Sequence, residues 1–392
     1  MNWSPVWALP NIVLDEAVES EFFALVPEQD ERIRTLKREY PNLRIFLRQF
    51  RDIYRHRTNP ALIMRRDNAP EYLCSGEAAA SFRDILVTAI VPKAWSRNLI
   101  YENRRDRAST SMYFWVHPWM IDRNYEHAIA HTPTTLALHE VSAISAQASP
   151  ELTPLRIRSA DFDAPLMAAL FARHHDRYMA SRPTWENVAL FRSLNFANSA
   201  SRFPFSADST IYDFGRQIGL WVSAFETLVH PGETGQTNLG RVFGLLESVP
   251  WLDKRCAQKR YKTGHGRIEG RRNLSCSVYY QLHQRRNDFL HGNPVTMASL
   301  REKRSKRLLV EFAAPLYRLG LSSFLSLKFQ GEAPPMEDAE EIARFMTNKW
   351  SFEQPQQDAE EAMRKALITA EEAERQRQAI RDQQRRRRRN NP

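Results

Sequence analysis

The chain has 392 residues, of which 42% are hydrophobic and nine are tryptophan, a composition that excludes an intrinsically disordered protein. Its formal net charge of +10 favours an anionic partner, most simply nucleic acid. The three cysteines, Cys74, Cys256 and Cys276, are far apart and fit neither a zinc motif nor a disulfide framework, so we expect a cytoplasmic protein with no metal or other cofactor.

The N-terminal segment 1–21 lacks a basic stretch followed by an apolar core, so we expect no signal peptide. The most apolar late segment, 308–329, is interrupted by Glu311, Pro315 and Arg318. A membrane helix needs about 20 consecutive apolar residues. We therefore expect no membrane association.

Residues 1–160 are predicted to form a mixed α/β domain, because helical periodicity alternates there with short runs of β-forming residues. Between these elements, 97–107 reads as a charged loop. No catalytic pattern occurs in this part of the chain, and we assign it no activity. The predicted elements are helices over 29–56 (broken at Pro41) and 76–91, and strands over 61–67 and 109–121.

Helical periodicity dominates residues 161–330, which are predicted to form an all-α domain. Residues 331–392 are predicted to form a helical tail whose C-terminus, Arg385–Arg389, is basic. The expected fold class is therefore α+β. The predicted helices cover 164–179, 185–200, 208–229, 238–249, a segment ending at Gly292, 307–328, a short acidic segment after Pro334-Pro335, and 356–384.

The most informative motif is Arg286-Asn287-Asp288-Phe289-Leu290-His291, which is followed by Gly292 and Pro294. Arg286 continues the helical spacing of Tyr279 and Leu282, so a permanent cation lies on an otherwise apolar stripe. Gly292 fits a left-handed helix cap. His291 is then in the last turn, where the helix carbonyls attract a protonated imidazole.

The spacing Arg-x4-His is not specific by itself, because it also occurs at Arg51 and His56 and at Arg260 and His265. Neither of those pairs has an apolar stripe, an adjacent asparagine and a helix-ending His-Gly. These features single out the motif at Arg286.

The segment from about 185 to 295 resembles the HEPN superfamily (higher eukaryotes and prokaryotes nucleotide-binding), in particular its Apea-like branch. The likeness rests on GLWVSAFETLV at 219–229, with Phe225 where leucine is commoner, and on YYQLHQRRNDFLHG at 279–292. In this comparison Arg286, Asn287 and His291 correspond to the catalytic motif, and Glu226 to the acidic position of the earlier helix. The neighbouring Arg285 is a second candidate for the motif arginine.

The resemblance implies a helical bundle that forms a homodimer and a metal-independent endoribonuclease, of the kind used in bacterial defence and toxin systems. The N-terminal domain would then bind an activating or inhibiting ligand, such as a phage component or an antitoxin. We further expect a basic segment beside the motif to contact RNA. Its residues are Lys254, Arg255, Lys259, Arg260, Lys262, Arg271 and Arg272.

The expected chemistry is general acid–base catalysis: His291 exchanges protons with the ribose 2′-hydroxyl or the 5′-oxygen, and Arg286 holds the phosphate. Asn287 is expected to orient His291. The alternatives stay open: Arg286 pairs structurally with Glu226, His291 only caps the helix, or the domain is a non-catalytic nucleic-acid or nucleotide-binding scaffold. The adjacent His174 and His175 point apart on a helix and do not predict a metal site.

Overall fold

The computed structural model describes residues 3–52, 54–101, 106–116, 119–121, 125–132, 135–140, 153–202, 209–232, 235–332 and 338–369, with a few positions beyond. The protein is an α+β chain, as predicted: small β-sheets lie toward the N-terminus and helices dominate the C-terminal part. It divides into two compact units. Unit 1 contains Met1–Val91 and Arg107–Arg202, and unit 2 contains Pro92–Asp106 and Phe203–Pro392.

Unit 1 contains a four-stranded antiparallel sheet with the order β1-β5-β4-β3, a parallel pair of β2 with β9, and an antiparallel sheet β6-β7-β8. All of β4 is buried, so both faces of this strand are covered. The strands are β1 (Trp3–Leu9), β2 (Ile12–Leu14), β3 (Val18–Glu19), β4 (Phe23–Val26), β5 (Ala61–Arg66), β6 (Trp119–Ile121), β7 (His127–Thr132), β8 (Thr135–Glu140) and β9 (Leu155–Ile157).

The helices of unit 1 follow the predicted pattern closely. They are α1 (Glu31–Glu39), α2 (Pro41–Arg48), α3 (Gly76–Ile100), α4 (Ala164–Met179) and α5 (Trp185–Ala200). The break at Pro41 is confirmed, because this proline is the first residue of α2. The N–H groups of the first helical turn make no hydrogen bond within the helix, so proline, which has no N–H, is tolerated there. Helix α3 is longer than predicted: it continues through Pro92, where the chain passes into unit 2, and takes up the start of the expected charged loop.

Helices α4 and α5 belong to unit 1, whereas the sequence placed them in a domain starting at residue 161. Buried polar contacts to α3 explain the difference. The hydroxyl groups of Ser81 and Tyr178 are 2.8 Å apart. The Asp84 carboxylate accepts hydrogen bonds from the side-chain amides of Asn195, at 3.1 Å, and Asn198. These contacts join residues about a hundred positions apart, and nothing local in the sequence signals them.

The strand predicted over 109–121 is wrong except at its end, Trp119–Ile121. Residues Ser111–Phe114 form a 3₁₀ turn instead. The reason is a tertiary contact: the backbone N–H of Ser111 donates to Ser201 at 3.0 Å, and its hydroxyl donates to the carbonyl of Asn198 at 2.8 Å. Ser111 thus makes its hydrogen bonds to the C-terminal end of α5 and not to a neighbouring strand.

His174 of α4 is a buried titratable group of unit 1. Its side chain is packed beside the rings of Phe23 and Phe191, and its Nε2 lies 3.0 Å from the carbonyl oxygen of Ala78. Burial lowers the pKa of His174 to about 4. An unfolded histidine titrates near 6.5, so between about pH 6.5 and pH 4 the unfolded chain binds a proton that the folded chain does not.

We therefore predict that unit 1 loses stability as the pH falls through this window, by up to about 3 kcal/mol from His174 alone. Urea unfolding of the wild type and of His174→Gln at pH 7 and pH 4.5 measures the effect. The glutamine variant should lose clearly less free energy of unfolding on acidification. Equal losses in the two proteins would contradict the assignment.

Unit 2 is a helical bundle that also contains one β-hairpin. Its core includes three aromatic residues: the ring of Phe225 lies 5.1 Å from Tyr279 and 5.4 Å from Tyr317. The elements are α6 (Ile211–Leu228), α7 (Leu239–Glu247), α8 (Lys254–Ala257), β10 (Tyr261–Thr263), β11 (Gly270–Arg272), α9 (Leu274–Leu290), α10 (Ala313–Phe324) and α11 (Ala339–Arg364). Helix α9 contacts α6, α7 and α10, so it lies at the centre of the bundle.

The tail beyond residue 331 is helical, as predicted, but Ala339–Arg364 forms one continuous helix, α11, where two were expected, and its second half packs into unit 2. Hydrogen bonds to two of its side chains explain this packing. The Gln356 side chain accepts a hydrogen bond from Arg318 of α10. The Glu360 carboxylate accepts hydrogen bonds from the backbone N–H groups of Leu252, at 2.9 Å, and Asp253, at 2.7 Å. The predicted arginine run 385–389 lies outside the described residues.

Within the described ranges, no helix has the length and apolar character needed to cross a membrane.

Candidate functional site

Helix α9 carries the Arg-His motif, and both of its ends are fixed by local hydrogen bonds. At the start, Oδ1 of Asn273 accepts a hydrogen bond from the backbone N–H of Cys276 at 3.0 Å. At the end, Gly292 has a φ of +69° and donates to Phe289, while Asn293 donates to Asp288 at 2.9 Å. These bonds form a Schellman motif, which confirms the left-handed cap predicted at Gly292.

Arg286 is held on α9 by two oxygen acceptors. Its Nη2 lies 3.2 Å from Oε2 of Glu226 on α6, and its Nη1 lies 3.0 Å from Oδ1 of Asn287. The side chains of Arg286 and Glu226 keep 27% and 23% of their surface exposed. Burial raises the pKa of Glu226, and the nearby guanidinium opposes that rise. The ion pair between Arg286 and Glu226, which was one of the alternatives expected from the sequence, is therefore present, and it is half-buried.

His283, which was not among the site residues predicted from the sequence, completes this polar network. Its Nε2 lies 3.9 Å from Oε1 of Glu226, and its Nδ1 lies 3.5 Å from Nδ2 of Asn287. Burial first, and the positive charge of Arg286 second, lower the pKa of His283 to about 4. The ring is therefore neutral at pH 7, so its contact with Glu226 is not an ion pair. The sequence does contain one indication of this contact: His283 lies four residues before Asn287, so the two side chains share one face of α9.

The structure places His291 apart from this network. It is the C-cap residue of α9, it is exposed, and its backbone N–H donates to the carbonyl of Asn287 at 2.9 Å. The Asn287 side chain contacts Arg286 and His283, so the prediction that it orients the His291 ring is wrong. Five helical positions separate Arg286 from His291, about 7.5 Å along the axis.

Arg285, the other candidate for the motif arginine, is engaged elsewhere. Its Nη1 lies 2.9 Å from the carboxylate of Asp288, three residues later on α9. Arg286 is the arginine that contacts Glu226. The two arginines thus have different partners: Arg285 pairs within α9, and Arg286 pairs with α6.

The motif end of α9 lies close to α6 because Gly215 has no side chain. A Cβ atom built on Gly215 would be 2.7 Å from carbons of the Phe289 ring, which is closer than such atoms approach in proteins. One turn later, a Cβ on Gly219 would meet no atom within 4 Å. The two glycines of one helix therefore form a matched pair for testing this contact.

We predict opposite effects for the two alanine variants. Gly219→Ala should raise the free energy of unfolding by up to about 1 kcal/mol, because alanine favours a helix more than glycine does. Gly215→Ala should lower it by about 1–3 kcal/mol, because the new methyl group displaces Phe289. Urea denaturation of both proteins measures the difference. Equal changes in the two variants would show that Gly215 and Phe289 are not in close contact.

The basic segment after α7 forms α8 and the hairpin β10–β11. Several of its charges pair with neighbouring carboxylates. Glu247 binds Arg272 at 2.7 Å and Lys259 at 3.4 Å. Lys262 lies 2.5 Å from Glu269. These pairs reduce the positive charge available to an anionic partner.

Arg255 is also paired, with Asp253 at 2.8 Å. Lys254, Arg260 and Arg271 are exposed and have no ion-pair partner among the described residues. Of the seven basic residues expected to contact RNA, these three offer the most accessible charge.

No cluster of three or more His, Cys, Asp or Glu side chains suited to a metal ion occurs in the part of the chain that the structure describes. His174 is buried, and Nδ1 of His175 lies 2.8 Å from Glu21. The two adjacent histidines thus have separate surroundings.

No family model, curated protein or solved structure matches this chain. The likeness to the HEPN superfamily therefore rests on the sequences of α6 and α9 and stays an expectation.

Proposed function

We propose that the chain is a metal-independent endoribonuclease in which Arg286 binds the scissile phosphate and His291 transfers protons. The observation that carries the proposal is the orientation and exposure of the Arg286 side chain. Glu226 and Asn287 orient its guanidinium, yet 27% of the side chain stays exposed at the same helix that ends in the exposed His291. An oriented, accessible guanidinium is suited to bind phosphate oxygens.

The reaction is an intramolecular transfer at phosphorus. The ribose 2′-oxygen forms a bond to phosphorus and the bond to the 5′-oxygen breaks, which leaves a 2′,3′-cyclic phosphate and a free 5′-hydroxyl. One imidazole accepts the 2′ proton and another donates a proton to the 5′-oxygen. A homodimer supplies two copies of His291 for these roles, and Arg286 stabilises charge on the non-bridging oxygens.

The same proposal includes a cytoplasmic protein that acts in bacterial defence or as a toxin. Lys254, Arg260 and Arg271 then contact the RNA backbone, and unit 1 binds the ligand that controls activity, such as a phage component or an antitoxin. A phosphate contact of this kind is nonspecific and weakens with salt.

Incubation of the full chain with a labelled RNA in excess EDTA tests the activity. We expect cleavage of the RNA and none of a DNA with the same sequence, because DNA lacks the attacking 2′-hydroxyl. A His291→Ala protein purified in the same way controls for contaminating nucleases. Intact RNA after incubation with the wild type would contradict the proposal.

A second candidate is a non-catalytic nucleic-acid or nucleotide-binding scaffold, and the Glu226–Arg286 ion pair favours it. A half-buried arginine with a carboxylate partner fixes how two helices pack, whether or not a phosphate ever binds. The scaffold predicts salt-dependent RNA binding without cleavage. The EDTA assay, run beside a binding titration, separates the two candidates.

A further inference from the structure

A cavity of about 390 Å³ lies in unit 2, between the middle of α11 and the segment that follows α10. Three phenylalanines form an apolar cluster in its wall. The ring centroid of Phe329 is 5.5 Å from that of Phe345 and 5.7 Å from that of Phe352. Cavities of this size accommodate small organic ligands.

The sequence of α11 explains why this wall is both apolar and charged. Phe345, Lys349, Phe352 and Gln356 are spaced by four, three and four residues, so they share one face of the helix. Further along, the same helix packs against the bundle with the small buried residue Ala359. The middle of α11 therefore covers the cavity, and its bulky side chains form part of the cavity wall.

Positive charge predominates around the cavity. Lys328, Lys349 and Arg318 line it, against a single carboxylate, that of Glu353. Arg318 is 4% exposed and donates a hydrogen bond to Gln356. Neither lysine has an ion-pair partner among the residues the structure describes. An anion in the cavity would be attracted by the two lysines.

We propose that this cavity binds a small aromatic carboxylate. The ring would pack against the cluster of Phe329, Phe345 and Phe352, and the carboxylate would contact Lys349 and Lys328 at the mouth. An inorganic anion would leave the apolar wall unused, and a neutral aromatic molecule would leave the charges unused. This binding is independent of RNA cleavage and requires neither Arg286 nor His291.

Isothermal titration of the full chain with 2-naphthoate and with 2-naphthamide tests the proposal. The two probes have nearly the same shape and differ in charge. We expect 2-naphthoate to bind about tenfold more tightly, the effect of one charge-assisted contact. Equal affinities, or no binding of either probe at millimolar concentration, would overturn the proposal.

Lysine-to-methionine variants locate the binding site, because methionine keeps an unbranched apolar chain without the charge. Lys328→Met/Lys349→Met should remove the tenfold preference for 2-naphthoate, while Lys303→Met, at an exposed position outside the cavity, should keep it. A thermal unfolding midpoint equal to that of the wild type shows that each variant folds. A preference that survives in the double variant would place the ligand elsewhere and refute the proposal.

Discussion

His291→Ala is expected to slow RNA cleavage by about 10²–10⁴-fold, the usual contribution of a positioned acid or base. Folding should be nearly unaffected, within about 0.5 kcal/mol, because the side chain is exposed and the helix cap uses the backbone N–H of His291. Single-turnover cleavage of a labelled RNA measures the rate, and urea unfolding measures the stability.

His265→Ala is the matched control. His265 follows Arg260 at the same spacing, is also exposed and belongs to the same unit. A general change in positive charge or RNA affinity would slow both variants alike. We expect the loss only in His291→Ala; similar rates in the two variants would exclude His291 as the proton-transfer group.

The second large effect is expected at Arg286. Arg286→Met should slow cleavage by about 10²–10³-fold, as loss of a group that stabilises transition-state charge does. Arg286→Lys should recover little of that rate, because an ammonium lacks the planar pair of donors that fits a phosphate. Removing the guanidinium also leaves the half-buried carboxylate of Glu226 without its cation. We expect this to cost about 1–3 kcal/mol of folding stability.

The stability loss should depend on pH in a defined direction. Burial already raises the pKa of Glu226, and Arg286 opposes the rise, so Arg286→Met should raise that pKa further. The penalty is present when the carboxylate is charged, above its folded pKa, and disappears as acid neutralises it. The destabilisation of Arg286→Met relative to the wild type should therefore shrink as the pH falls toward 4.5.

A double-mutant cycle separates the two roles of Arg286. Glu226→Gln/Arg286→Met removes both charges and should recover most of the lost stability. If Arg286 binds phosphate, this double variant folds well and stays inactive. If Arg286 serves only to pair with Glu226, cleavage returns together with stability.

Signals between neighbouring residues were sufficient to predict the consecutive helices α4 and α5. The predicted spans 164–179 and 185–200 coincide with α4 and α5. Asp163 and Thr184 cap the two helices through hydrogen bonds to N–H groups three residues later. A cap of this kind involves only neighbours in the chain, so the sequence shows it directly.

Contacts between distant residues could not be predicted in the same way. Proline rules indicate a break near Pro355, yet α11 continues through it, with Gln356 and Glu360 held by partners from other helices and loops. Within the candidate site, the sequence identified Glu226 and Arg286. The role of His283 depends on Glu226 from another helix, which only the fold brings near.

Cleavage of a DNA oligonucleotide that contains one ribonucleotide, in excess EDTA, tests the central claim most directly. We predict a single cut on the 3′ side of that ribonucleotide, with a 2′,3′-cyclic phosphate on the upstream product identified by mass spectrometry. A 2′-O-methyl group at that position should abolish the cut. Cleavage that persists with the methyl group, or that requires a divalent metal ion, would contradict proton transfer by His291 at a phosphate held by Arg286.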